Sequence, residues 1–358
     1  SGNMTHSGGT ITQAGSSNVQ FIFIKSGTQT YIASGNTVTG NIDYTVNNNS
    51  ILDLGTNIVI GRDFTVLSGG EIIIKSLAGI SSSGATGNIQ VSGTRTFNTG
   101  ADYTYSGAAA QITGNGLPAT VRNLTVNNAS DLTLTNTVSA STSLIFTLGK
   151  IITGSNELNI TSTSTSAITG YSSTKYVIGN LRRSVSSSGS YNFPIGISAN
   201  YELANVNLTS TTGVSNILAK FTNSTPLVPG LPVTGISLQG ITIDSLITYG
   251  FWTLTPNTAI INGTATVTVT EIGQTNSIYF GTTYALLDRQ NNTLAWASVG
   301  THNSNTQVIS GGAVTAARSA LKVFGDFAIS YGIQMSFTSP TLTSGSAGQV
   351  NAIYKFPN

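Results

Sequence analysis

The segment Val46, Asn47, Asn48, Asn49, Ser50, Ile51, Leu52, Asp53, Leu54 returns 80 residues later as Val126, Asn127, Asn128, Ala129, Ser130, Asp131, Leu132, Thr133, Leu134. Partial echoes fall every 20 residues between and beyond: Asp43, Tyr44, Thr45 and Val46 recur as Asp63, Phe64, Thr65 and Val66, while Leu52 and Leu54 fall on Ile72 and Ile74. After the 80-residue return the offset continues, with Leu124 on Leu144, Val126 on Phe146, Leu132 on Ile152 and Val138 on Leu158. A unit this short cannot bury a core alone, so a chain that repeats it must stack each unit on the next. Between about 80 and 120 the register is lost, Thr86 and Ser106 standing in the valine slot. Because the phase recovers, the expectation is that the insertions there add up to whole coils.

Within one unit the apolar residues alternate in short bursts, as in Leu124/Val126 and Leu158/Ile160, separated by Gly, Asn, Ser and Thr. Alternation with period two is the mark of strands, and the turn residues between bursts mark corners. Stacked short strands at about 20 residues per coil predict a parallel β-helix over residues 1–175. At roughly 4.8 Å per coil this is a rod on the order of 40 Å long. Asn47/Asn127 and Asn48/Asn128 are expected at corners, where Asn tolerates left-handed backbone and amides can bond along a ladder.

Proline placement divides the chain at the same point. Apart from Pro118, in the off-register stretch, all prolines lie at or after Pro194, and a solenoid strand paired on both edges has no place for a missing N–H. From about Tyr176 the aromatics thicken and both tryptophans, Trp252 and Trp296, appear. Residues 176–333 therefore read as a β-sandwich, with strands expected at Leu203–Leu208, Ile217–Phe221, Tyr249–Leu254, Ala265–Val269, Tyr284–Leu287, Leu294–Ala297 and Phe324–Ser330. Residues 334–358 read as a linker or tail. The fold class is all-β, a parallel β-helix followed by a β-sandwich, and Trp252 is expected in the core.

Composition narrows the function. With 7% charged and 39% hydrophobic residues, the chain can bury a core. Its 14 basic and 12 acidic residues are spread without clusters, which excludes the basic stripe that nucleic acid requires. The one adjacent basic pair, Arg182 and Arg183, is expected at a solvated corner. Cys is absent, removing disulfides and thiolate metal sites, and no apolar run reaches the ~18 residues of a membrane span. The first residues run straight into coil-like sequence with no polar cap, so the chain is expected to be a mature or internal piece of something longer.

Residues suited to chemistry are few. His6 and His302 stand outside any metalloprotease or nucleophile pattern and are expected to be exposed. Asp43 and Asp63 would stack on neighbouring coils about 5 Å apart, making them the candidate metal-binding or acid/base pair; Asp53 would lie on another face. The ladder ends there, since Asn123 and Ser143 follow at the aligned positions. Tyr103, Tyr105, Tyr171, Tyr176, Tyr191 and Tyr201 are either core and rim residues or stacking faces for sugar rings. No catalytic residue and no cofactor is expected.

Several stretches, taken in order, resemble one family. They are Gly107 to Gln111 leading into Leu117 to Asn128, then Leu148 to Leu158, Tyr176 to Arg183 and Tyr191 to Gly196, with Phe251 to Leu254 and Phe324 to Ile329 beyond. In these the chain resembles the repeat-rich secreted surface proteins of Bacteroidetes exported by the type IX secretion system, a group that includes gliding-motility adhesins. The resemblance implies an extracellular, cell-surface, non-catalytic adhesive or structural module. Implied partners are the secretion machinery and other copies or segments of a larger surface protein, with surface polysaccharide a further candidate. Asp244, Ser245 and Leu246 match the short O-glycosylation acceptor pattern of that phylum, making Ser245 a candidate modification site, with a buried strand residue as the alternative. Two alternatives stand beside this reading: a subunit of a homopolymeric filament, and a polysaccharide-binding or -cleaving β-helix protein.

Overall fold

The structure, a computed structural model, describes residues 2–34, 37–236, 241–243, 245–276, 282–303, 308–310 and 312–333. The tail 334–358 and Asp244 lie outside them. Every regular element among the described residues is a strand. The N-terminal part is a parallel β-solenoid of about 8 turns spaced roughly 23 residues apart.

The 20-residue echo marks true neighbours in its regular stretches. Tyr44, Thr45 and Val46 lie against Phe64, Thr65 and Val66. One apolar column runs Leu52, Ile72, Tyr103, Leu124, Leu144 and Ile168, each residue paired with the next, and all are buried. Parallel stacking brings like residues together at every rung, so each coil buries what the one below leaves open. Coil length varies more than the echo suggests. Leu132 meets Ile151 rather than Ile152. The step from Glu71 to Asp102 takes 31 residues, because an excursion lengthens the coil between Ile74 and Ile89, which is back in register with Val59. Arg95 pins that excursion by donating to the carbonyls of Ser81, Gly84 and Val91.

The long-range repeat is corrected in one respect. Val46 stacks with Val66, and Val66 with Phe97, on one face. Val126 stacks on Tyr105, and Tyr105 on Ile74, which belong to the face beyond the next corner. The motif thus returns one face further round, and the insertions do not add up to whole coils. A burst, an Asn-rich corner and a second burst fit either corner, so the pattern reports corner type and not face. The left-handed residues at these corners are Asn49 and Asp131 (φ 60° and 72°) rather than the expected asparagines. Asn128 is buried there, its amide donating to Ala109 O and Gln111 Oε1.

Strand Val177–Ser184 ends the solenoid and divides. Val177 and Ile178 pair in parallel with Ile195 and Gly196, while Leu181 to Ser184 pair antiparallel with Ala219 to Asn216. Two antiparallel ladders grow from it. The first runs Gly189–Gly196, Tyr201–Thr212, Asn262–Glu271, Ala313–Leu321. The second runs Asn216–Thr222, Phe251–Pro256, Asp326–Ile333, Thr282–Arg289. Trp252 of the second ladder is fully buried, as expected, and donates its indole N–H to Glu202 O of the first at 3.0 Å. The expected strands are present except Leu294–Ala297, where only Ala297 forms an isolated bridge, to Asp288.

Arg183 departs from expectation. It sits fully buried beside Ile160 in the stack, donating to the carbonyls of Asn192 (2.7 Å), Ser164 (2.9 Å) and Thr165 (3.2 Å). Burial lowers its pKa to about 10. Carbonyls left free where the coil pattern stops give the guanidinium its partners, so a solvated corner is wrong for this residue. Arg182, on the opposite side of the strand, pairs with Glu157 through both nitrogens at 2.7 and 2.9 Å.

Column packing and surface pairing predict different costs. Leu124→Ala should lower unfolding stability by about 2–5 kcal/mol, since Tyr103 and Leu144 cannot close the gap. Arg122→Ala, which removes the pair with Asp102, should cost about 1 kcal/mol or less. Urea unfolding followed by circular dichroism measures both.

An open groove as the candidate functional site

The groove lies on the outward face of the second ladder. In Phe251–Pro256, alternation sends Trp252 and Leu254 inward and leaves Phe251, Thr253 and Thr255 facing out. In Asn216–Thr222 the outward residues are Leu218, Lys220 and Thr222. Register lines them up in rows: Leu218 beside Thr255, Lys220 beside Thr253, Thr222 beside Phe251. Thr253 then meets Asp326. Asn180 closes one side, and Gln290, Asn291, Asn292 and Phe324 rise on another, enclosing an open concavity of about 480 Å³.

The floor's charges are largely spent on each other. Asp326 accepts from Arg289 Nε at 3.0 Å and from the Thr253 hydroxyl at 2.8 Å. Arg289 lies 4.3 Å from the Trp296 ring centroid and 5.7 Å from that of Phe251, a cation–π arrangement that holds it in a desolvated place. Lys220 makes no ion pair among the described residues. Deeper in, burial raises Asp288 to about 6 against the pull of Arg318, and burial together with Arg318 lowers His302. What remains is a mixed lining of amides, hydroxyls, one ammonium and the apolar side chains of Leu218, Phe251, Pro256 and Phe324.

The residues singled out in the sequence lie elsewhere. Asp43 and Asp63 do sit at one level on neighbouring coils, and Arg62 is bonded to both, at 2.5 and 2.9 Å to Asp43 and 3.0 Å to Asp63. Asp63 also accepts from Thr94 N at 2.7 Å. A cation at this pair would compete with a guanidinium already in place. Asp53, on the next face, pairs with Lys75 at 3.3 Å. Tyr103, Tyr105, Tyr176 and Tyr191 are fully buried and present no face to a sugar, because the apolar columns take their rings. Tyr171 and Tyr201 are half-buried. His6 and His302 are both buried, against expectation; His6 Nε2 lies 3.1 Å from Gly9 O, and His302 is in register with Arg318. Ser245 is half-buried in a strand paired with Tyr331.

Sequence reasoning missed a pair of acids. Ala204 opposes Val269, which sets Glu202 and Glu271, two residues further along each strand, opposite one another on the inward side. Both are fully buried. Glu202 Oε2 accepts from Ile272 N at 2.9 Å. Its other oxygen and both of Glu271 make no hydrogen bond of good geometry among the described residues. Burial raises Glu202 to about 8, and burial with the neighbouring Glu202 raises Glu271 well above the carboxylate range, the Gly250 N–H only moderating it. Sealed from solvent, the pair cannot touch a substrate. The clue in the sequence was a glutamate at an inward position of each alternating strand, Tyr201–Thr212 and Asn262–Glu271.

Comparison with protein-family models, with curated proteins and with solved structures finds no match for this chain.

The acid pair fixes the sign of a pH effect. Folded pKa values above the unfolded 4.5 mean that the neutral carboxyls' contribution is complete below about pH 4.5 and is lost as pH rises toward about 8. Melting temperature should therefore fall across that interval. The double variant Glu202→Gln/Glu271→Gln should flatten the fall and melt above the parent at pH 8. At Asp43 and Asp63 the Arg62 clamp leads to a second expectation: treatment with EDTA should leave the melting temperature unchanged.

Proposed function

We propose that this chain is an extracellular, non-catalytic structural and adhesive module of a cell-surface fibre or large adhesin. One observation carries the reading: among the described residues a single 23-stranded sheet runs from strand Met4–His6 through the coils and strand Val177–Ser184 into both antiparallel ladders. A continuous ladder resists bending, and a surface of Thr, Ser and Asn keeps a rod hydrated with few charges. The resemblance to type IX-exported surface proteins of Bacteroidetes agrees with this, as does the absence of cysteine, since the stacked coils need no disulfides. In this reading the two ladders form a β-sandwich that presents a contact surface, the solenoid is its spacer, and the partners are other segments or copies of a surface protein.

Immunogold labelling of intact cells with antibody to this chain, together with a binding assay of the purified chain on those cells, tests the proposal. Label on the outer surface and saturable binding are expected. Label confined to the cell interior would overturn it, and release of reducing ends from polysaccharide by the purified chain would replace it with the enzymatic alternative. Regular filaments of the purified chain in negative stain would favour the homopolymer.

A further inference from the structure

We propose that the groove on the second ladder binds a glycan segment, an inference that rests on the contact role proposed above and names its ligand class. The floor excludes the other ligand classes in turn. Strand Asn216–Thr222 is paired on one side with Val177–Ser184 and on the other with Phe251–Pro256, which is paired in turn with Asp326–Ile333. The pairings cover 216–219 and 252–253 and leave only two or three residues of edge beyond them, too short a run for a peptide to dock by adding a strand. One unpaired ammonium, Lys220, is too little for a phosphate backbone. An apolar ligand would strip water from the exposed polar groups of Lys220, Thr255 and Asn292 without replacing their hydrogen bonds.

A sugar satisfies the same surface. The exposed amide of Asn292 offers a donor and an acceptor, the pairing that adjacent hydroxyls on a pyranose ring require, and Asn291, whose Oδ1 already accepts from the Thr293 N–H and hydroxyl, adds its amide donors. Phe251 lines the groove with Arg289 nearby on its ring, and an aromatic face takes the C–H face of a sugar. An open concavity of about 480 Å³ admits a short run of residues from a longer chain. The arrangement suits many weak contacts along a polymer.

The test uses the full chain on a printed array of neutral hexose, N-acetylhexosamine and uronate oligosaccharides, followed by calorimetry with the strongest binder. Asn292→Ala should weaken binding at least about tenfold. Thr255→Trp, an exposed position whose new ring would fill the groove, should abolish it, with melting temperature unchanged in both. Phe251 packs against the buried cluster around Trp296, so it is left intact. A blank array, or equal binding by both variants and the parent, overturns the proposal. A blank array from a chain that still coats intact cells sinks the groove alone; array binding that both variants disturb, by a chain found only inside cells, upholds the groove and sinks the adhesive reading.

Discussion

The backbone hydrogen bonds of strand Val177–Ser184 join two kinds of β-structure that do not otherwise fit together. Below it the pairing is parallel, and Ile151 and Leu158 meet Val177 and Leu181. Above it one half continues in parallel for two residues while the other half turns antiparallel. An edge left open at this point would expose a row of donors and acceptors on an apolar stack. Splitting the strand uses that edge twice, and each half seeds one ladder. The groove follows from this split, because its floor is the ladder that Leu181 to Ser184 begin.

Scarcity of charge makes the placement of each ion pair informative. Arg62 reaches Asp43, Arg122 reaches Asp102, and Arg182 reaches Glu157, each with two nitrogens on the carboxylate of a neighbouring coil. Bidentate geometry fixes the angle between rungs as well as their distance. Such pairs add little stability at a surface but oppose slippage, which a uniform Thr/Ser/Asn face would permit. Buried charge serves otherwise. Arg183 and Arg318 spend their donors on backbone carbonyls, closing places where the regular ladders leave acceptors unmet.

Much of the solenoid was legible because a stacked coil writes its neighbours into the sequence at a nearly constant offset. The column through Leu52, Ile72, Leu124 and Leu144 could be read directly. Its exceptions arose where coil length changed: Leu132 shifted by one residue, and the excursion after Ile74 moved the repeat to another face. The groove left no such trace. Asn180, Lys220, Phe251, Asn292 and Asp326 come from five separate segments joined only by antiparallel register, and no local period records that register. The tyrosines misled for a related reason, since a phenol looks alike in sequence whether its ring fills a column or faces water.

The return of the corner motif one face further round has a geometric consequence for recognition. A rod whose repeat kept to one face would carry a single straight stripe of identical outward residues along its axis, and a flat crystalline or polymer surface could read that stripe many times over. Here the motif steps sideways once, by one face, at the excursion after Ile74. The outward side of strand Ser50–Asp53 and that of strand Leu132–Thr133 point in different directions, so no planar target meets both copies at once. The two copies of the motif therefore act as separate features of the rod, although the coils on either side of the excursion keep their strands aligned on a common face.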